Sequence, residues 1–586
     1  MDQIMNPEWN LDILYKGLDD PAFEQDLKTF QENQEAFSGL IREAAALPAK
    51  ERAEKILELM EKGTLLFGRL MSFVGLNLAV DTENSEMMGA QARLMRLYAE
   101  SAADQAAATK ILGSLSDPEA LAEESALIKE YLFLIKEAKK ESAHLLSDDA
   151  EAMVAAMNQS AGSAWGDLQT FLTSTLKVDY DGKQVTLSEI RNLAYDKDPA
   201  VRKAAYEAEL ASYDKICDSV AFSLNHIKNQ VNMLCEKRGY ESALAQALED
   251  SRMQQETLDA MLEAIREYLP VFRKYLKKKG QLLGHGNGLP WYDLFAPLGE
   301  DSESYSLEEA KQLLTECFGT FTPEMAGMMK TAFENRWIDF YPRNGKSGGA
   351  FDSGLPGIPE SRIMTNYDGT FGAVDTLAHE LGHAFHDRQV DHQRILNQDY
   401  PMPVAETAST FNEIFLCHYV LESADREKKL ALLENDLREA TQCIVDIYSR
   451  YLFESAVFEE SKTRFLMAKD LNELMLKCQE EAYGDGLDPE FRNPGMWICK
   501  SHYYSDGLSF YNFPYAFGNL FATGLYSLYR EQGDAFVENY KAMLAGTPVH
   551  TIEENGSMLG IDLTDKEFWR KSLQIIAEEI EEFCSL

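Results

Sequence analysis

Two histidines four residues apart flank a glutamate in His379-Glu380-Leu381-Gly382-His383, inside the proline-free, helix-compatible run 374–386. Residues four apart on an α-helix differ by roughly 40° around the axis and about 6 Å along it, so both imidazoles can converge on one ion. This is the His-Glu-x-x-His spacing of zinc hydrolases. Three protein ligands plus a water make a catalytic zinc site rather than a structural one. Glu380, next to the first ligand, is placed to reach that water and not the ion, as a general base requires. Ligation needs neutral imidazoles, so activity should fall in acid.

A second helix is expected to begin after Pro403 and to carry Glu406-Thr407-Ala408-Ser409-Thr410-Phe411-Asn412-Glu413. Glu406 is the expected third ligand, because the 22 residues between it and His383 let the chain turn and lay this helix on the first. Glu413, seven residues on and on the same face, could hold a ligating imidazole from behind; an ordinary ion-paired carboxylate is the equal alternative. Asp375, one turn before His379, is another candidate acceptor. The longer three-histidine motif is excluded, since His386 stands at its glycine position and Gln389 at its last histidine. With the fourth position kept for water, His386 is expected to pack or hydrogen-bond.

The elements that must position these groups read mostly as helix. Phe23, Leu27 and Phe30 recur at helical steps, and Ala/Glu/Leu/Lys-rich stretches such as 89–140 continue the pattern. The expected fold class is mostly α, a large multi-helix body with small β insertions. Leu176, Val178 and Tyr180 alternate before Asp181-Gly182, and Val185 and Leu187 after it, as in a tight hairpin. Asp198 reads as an N-cap and Pro199 as a first-turn proline, which places a division near 195. A helical N-terminal domain, residues 1–195, would precede a larger catalytic domain, residues 196–586. Gly and Pro concentrate between 341 and 370, a region of loop and short strand.

Composition narrows the function. The 586 residues hold 56 Lys and Arg against 97 Asp and Glu, a formal charge of −41. That charge opposes attraction to phosphate backbones and anionic membranes, so neither nucleic acid nor membrane is an expected partner. The acidic start, residues 1–8, lacks the basic and apolar segments of a secretory leader, and no run reads as long and apolar enough to cross a bilayer. Eight scattered cysteines without a CxxC pair read as reduced thiols. The expected location is cytoplasmic.

With these motifs in view, the sequence resembles the oligoendopeptidase F branch of the thimet-oligopeptidase family of zinc metallopeptidases. The resemblance rests on His379-Glu380-Leu381-Gly382-His383, on Glu406-x-x-Ser409-x-x-x-Glu413, on the aromatic segment 502–515, and on Trp9-Asn10-Leu11-Asp12-Ile13-Leu14-Tyr15. It covers nearly the whole chain. It implies a deeply clefted, zincin-type body with one zinc per chain, whose N-terminal domain leans over a catalytic one and admits short unstructured peptides. By position it implies that His502, Tyr511 and Tyr515 face the substrate carbonyl, where a phenol or an imidazole N–H can donate to the oxyanion of amide hydrolysis. His502 and Tyr511 stand further apart than in the thimet-type branch, so which tyrosine donates stays open, with Tyr504 as a further candidate. Ser347-Gly348-Gly349-Ala350 and the segment 362–367 resemble the family's substrate-lining loop and edge strand. There Gly348 and Gly349 would let a peptide backbone approach and a strand edge would bind it; a plain surface turn is the alternative.

The expected activity is zinc-dependent hydrolysis of internal bonds in oligopeptides. Two alternatives stay open: a metallocarboxypeptidase, and a zinc-containing peptide binder that does no chemistry. The intact Glu380 speaks against the second.

Overall fold

Asp20 caps the first long helix, α1 (Pro21–Glu43): its carboxylate accepts from the Ala22 N–H, and Pro21 fits a first turn that needs no N–H. The computed structural model describes residues 6–299 and 303–586. Residues 1–5, which open the acidic start, and 300–302 lie outside the described residues. Phe23, Leu27 and Phe30 are all buried against α2 (Ala49–Val80), where Phe23 meets Phe73 and Phe30 meets Phe67. By length and composition α2 is long and apolar enough to span a membrane, contrary to the sequence expectation. Its Leu66, Leu70, Phe73 and Val74 are buried in the core shared with α1. A second small core joins Phe37, Ile56 and Leu57 to Ile128, Tyr131 and Ile135.

Helix α3 (Gly162–Thr175) leads into the hairpin β1 (Lys177–Tyr180) and β2 (Lys183–Thr186). Its turn is Asp181-Gly182, both at positive φ (47° and 71°), as a tight two-residue connection requires. α4 (Pro199–Tyr213) starts where expected, with the Asp198 carboxylate accepting from the Ala200 N–H. α5 (Cys217–Arg238) follows. The main hydrophobic core runs from Leu176 to Phe583 and includes Val178, Leu187 and Ile190, so it reaches back across residue 195.

A three-stranded sheet of β3 (Ile338–Asp339), β4 (Phe351–Leu355) and β5 (Ile358–Met364) has the order β3-β5-β4. β5 pairs parallel with β3 and antiparallel with β4, Phe351 standing opposite Met364. The sequence expectation of an open edge in the 362–367 segment is not met, because β5 is hydrogen-bonded on both sides; the edge strands are the two-residue β3 and the longer β4.

Five helices frame the site: α6 (Phe371–Val390), α7 (Thr407–Leu421), α8 (Ile447–Ser461), α9 (Phe513–Gln532) and α10 (Lys566–Ser585). Gly382 sets the approach of α6 to α7, since a Cβ there would lie 2.6 Å from both the Ala408 carbonyl oxygen and Ser409 Cα. Asn412 ties the pair by donating to the Ala378 carbonyl at 2.9 Å. Burial of Phe517 against Trp569 packs α9 on α10.

Candidate metal centre

α6 presents His379 and His383 on one face, with their Nε2 atoms 3.2 Å apart. Glu406 completes a triangle, its Oε2 3.3 Å from each Nε2. Glu406 does not lie within a continuous helix. The chain makes a short turn, Met402–Ala405, breaks at Glu406 and restarts as α7, which points the carboxylate back at α6. Ser409 Oγ donates to Glu406 Oε2 at 2.9 Å and fixes its rotamer. Among the described residues, His379, His383 and Glu406 are the group whose ligand atoms converge as a metal site requires.

The geometry fits a small divalent ion. Ligands at about 2.0–2.1 Å in a tetrahedron stand about 3.3–3.4 Å apart, close to the spacing of these three atoms. Two nitrogen acceptors and a carboxylate oxygen in mutual contact repel one another unless a cation or a proton lies between them. The electrostatics agree: burial would lower the His379 pKa, but Glu406 and Glu413 overcome it and push it up to about 11. The same histidines hold Glu406 far below the usual carboxylate range against its burial.

Behind the ligands, Glu413 Oε1 stands 3.1 Å from His379 Nδ1. Asp375 does not make that contact; its carboxyl is buried, raised in pKa by burial and then by Glu413, and its Oδ1 has no hydrogen-bond partner. His386 is wholly buried, bonds Thr547 Oγ1 at 2.8 Å and stacks on Tyr400. Burial pushes its pKa down to about 3, so it remains a neutral packing group. Glu380 is 6% exposed, and burial raises its carboxyl despite both histidines. The backbone of Asp352, on edge strand β4, is among the influences that oppose this rise.

His502, Tyr511 and Tyr515 come together as one half-buried cluster. The His502 ring centroid is 5.0 Å from that of Tyr511 and 6.0 Å from that of Tyr515, and the two tyrosines are 5.3 Å apart. Burial raises the Tyr515 hydroxyl, helped by Tyr511 and by the charge of Glu406, which places it beside the ligand set. Burial, then Arg450 and Lys500, lower His502, so its imidazole is neutral at pH 7 and can donate one N–H. Tyr504 is engaged elsewhere, donating to the Trp497 carbonyl at 2.8 Å.

The support for this cluster was not legible in the sequence. Lys228 on α5 and Glu454 on α8 form a fully buried ion pair at 2.7 Å. Glu454 also accepts from the Phe510 N–H at 3.1 Å and from Asn512 Nδ2 at 2.7 Å. These bonds clamp the turn that carries Tyr511, in which Phe510 has φ 55°. Lys228 and Glu454 lie 226 residues apart, so no local pattern links them. The loop bearing Gly348 and Gly349 is exposed and leads into β4; Asn366 donates to the Ser347 and Gly349 carbonyls, and Ser347 N–H to the Ala79 carbonyl. Gly349, at φ 78°, needs its missing side chain, and no atom crowds either glycine within 4 Å.

Fold and site together define a large, helical, clefted metallopeptidase. The family model described as Peptidase family M3 matches residues 192–575, and one described as Oligopeptidase F matches 116–177. The chain therefore belongs to peptidase family M3, in its oligoendopeptidase F branch. It is 26% identical to the oligopeptidase PepF of Bacillus subtilis, over 99% of this chain and 87% of that protein. It is 26% identical to an oligoendopeptidase F homolog of Lactococcus lactis, over 78% and 77% respectively. A solved chain from Chlamydophila abortus shares the fold with a TM-score of 0.84 at 21% identity, covering 99% of both. The oligoendopeptidase F of Enterococcus faecium does so with a TM-score of 0.68 at 20% identity, covering 95% of this chain and 98% of that one.

Proposed function

We propose that this protein is a zinc-dependent endopeptidase that hydrolyses internal bonds of oligopeptides in the cytoplasm. The observation that carries the reading is the triangle of His379, His383 and Glu406 with Glu380 buried beside it. Residues 1–195 would lean over the cleft and 196–586 would carry the chemistry. One zinc per chain, held by the triangle, would supply a Lewis acid for the scissile carbonyl and lower the pKa of water. Glu380 takes the proton of the attacking water and returns it to the leaving amine, a role its raised pKa suits. His502, Tyr511 and Tyr515 donate hydrogen bonds to the oxyanion. The β4 edge holds the substrate backbone by main-chain bonds, with little preference for sequence. All eight cysteines are free thiols, which supports a reducing compartment.

The test is cleavage of a doubly blocked, internally quenched oligopeptide by wild type and by Glu380→Gln, with bound zinc measured in both. Internal cleavage by wild type, and a mutant that keeps zinc but loses at least about a thousandfold in kcat, is the expected result. Cleavage restricted to peptides with a free carboxyl end would replace the reading with a carboxypeptidase, and peptide binding without cleavage would replace it with a binder.

A further inference from the structure

Away from the metal ligands lies a cavity of about 650 Å³, walled on one side by α3, α4 and the segment between them, and on the other by residues 442 and 493–501. Its polar lining includes Arg191, Asn192, Gln442, Lys500 and Ser501. Cys499, Lys500 and Ser501, which line it, directly precede His502 in the chain. Gln442 reaches it from a single turn of π-helix, Gln442–Asp446, an irregularity often found at functional sites.

The cavity lining carries three cations, Arg191, Arg202 and Lys500, against one carboxylate, Glu209, in a protein whose formal charge is −41. Arg202 is spoken for, bonding Asp293 at 2.7 Å and the Asp196 carbonyl at 2.7 Å. Arg450, behind the wall, is paired with Asp446. Arg191 is ion-paired with Glu209 at 3.4 Å, and Tyr213 donates to that same carboxyl oxygen at 2.5 Å. Lys500 is half-buried, and its ammonium makes no hydrogen bond or ion pair among the described residues. Burial, then Arg450, lower its pKa to about 8 against the opposing charge of Asp446. Retaining such a charge is costly unless something neutralises it. Beside the cations, Tyr195 and Phe295 form an aromatic pair with centroids 5.0 Å apart and offer an apolar surface to a neighbouring side chain.

We propose that this cavity is a carboxylate subsite that receives the C-terminal carboxylate of a bound oligopeptide, with Lys500 as its ion partner and Arg191 beside it. The proposal rests on the peptidase reading above. A chain terminus is the one anion that every oligopeptide carries whatever its sequence. A subsite for it would favour short substrates, whose ends lie near the cut bond.

The test compares two internally quenched peptides of one sequence, one ending in a free carboxylate and one in an amide. Wild type is expected to cleave both, with kcat/KM for the free acid higher by about tenfold or more, mainly through KM. Lys500→Met should close that gap and Lys500→Arg should keep it. Inorganic phosphate should compete with the free acid and not with the amide. Equal kcat/KM for the pair in wild type would overturn the subsite while leaving the peptidase reading intact, and needs no variant to fold. Phosphate that accelerates both peptides equally would also overturn it, in favour of an effector anion. Cleavage of neither peptide would overturn both readings.

Discussion

At the scale of single residues, the site divides into groups that could hold a metal ion and groups that lie beside them. His379, His383 and Glu406 leave one side open, and the cluster of His502, Tyr511 and Tyr515 lies next to Glu406. Tyr515 feels the Glu406 charge, whereas the Tyr511 hydroxyl has the Met402 sulfur as its neighbour at 3.9 Å. Tyr515→Phe is therefore expected to lower kcat by about a hundredfold, the usual cost of one oxyanion donor, and Tyr511→Phe by less. Metal content should not change in either, and steady-state kinetics with zinc analysis checks the pair. An equal loss in both would mean that the two phenols act as a unit. The histidine motif was legible in the sequence because spacing on a helix implies convergence, whereas the expected partner Glu406 is turned back at it by a helix break that spacing does not encode. The choice of Glu413 over Asp375 at His379 Nδ1 was not, because both lie on a face compatible with that role and only the packing of α7 on α6 selects one.

At the scale of elements, two devices hold the site. The first is the close approach of α6 and α7 at Gly382. A Cβ at that position meets backbone atoms, which cannot swing aside, so the helices must separate. Gly382→Ala is expected to destabilise the fold by about 1–3 kcal/mol and to weaken zinc retention, because Glu406 and the histidines sit on opposite sides of that contact. Thermal unfolding and metal loss to a chelator measure the two effects; unchanged retention would show that the α6–α7 spacing does not govern the triangle. The second device is the Lys228–Glu454 pair. Glu454→Gln leaves Lys228 buried without its anion, at a cost of about 3–5 kcal/mol. It should also loosen the Tyr511 turn, seen as a lower kcat in a protein that still holds zinc. Urea unfolding read alongside kinetics would separate the two, and full activity in a destabilised variant would deny the turn its role.

At the scale of the whole molecule, the acidic balance is partly internal. Glu579 on α10 is 6% exposed and 3.0 Å from His418 Nε2. Burial raises its pKa to about 7, against about 4.3 for an unfolded glutamate. The folded state therefore binds the proton more tightly than the unfolded one. This group's stabilisation is fully present below about pH 4 and is lost as pH rises through about 7. Comparing Tm for wild type and Glu579→Gln between pH 4 and 8 should show the variant gaining on wild type as pH rises, and parallel curves would contradict the assignment.

Local periodicity and residue chemistry were enough for everything that a few turns of chain can specify. The mostly helical character, the Asp181-Gly182 hairpin, the α4 start at Asp198-Pro199 and the histidine motif all follow from spacing of that kind. Tertiary packing decided which strands are the edges, since β5 is covered on both sides only after β3 arrives. It also placed the apolar residues of α2 in a core with α1, joined Lys228 to Glu454, and set Arg191 and Lys500 on the walls of one cavity. Those contacts connect residues tens to hundreds of positions apart, and their energies arise from burial and desolvation, which exist only once the chain has closed on itself.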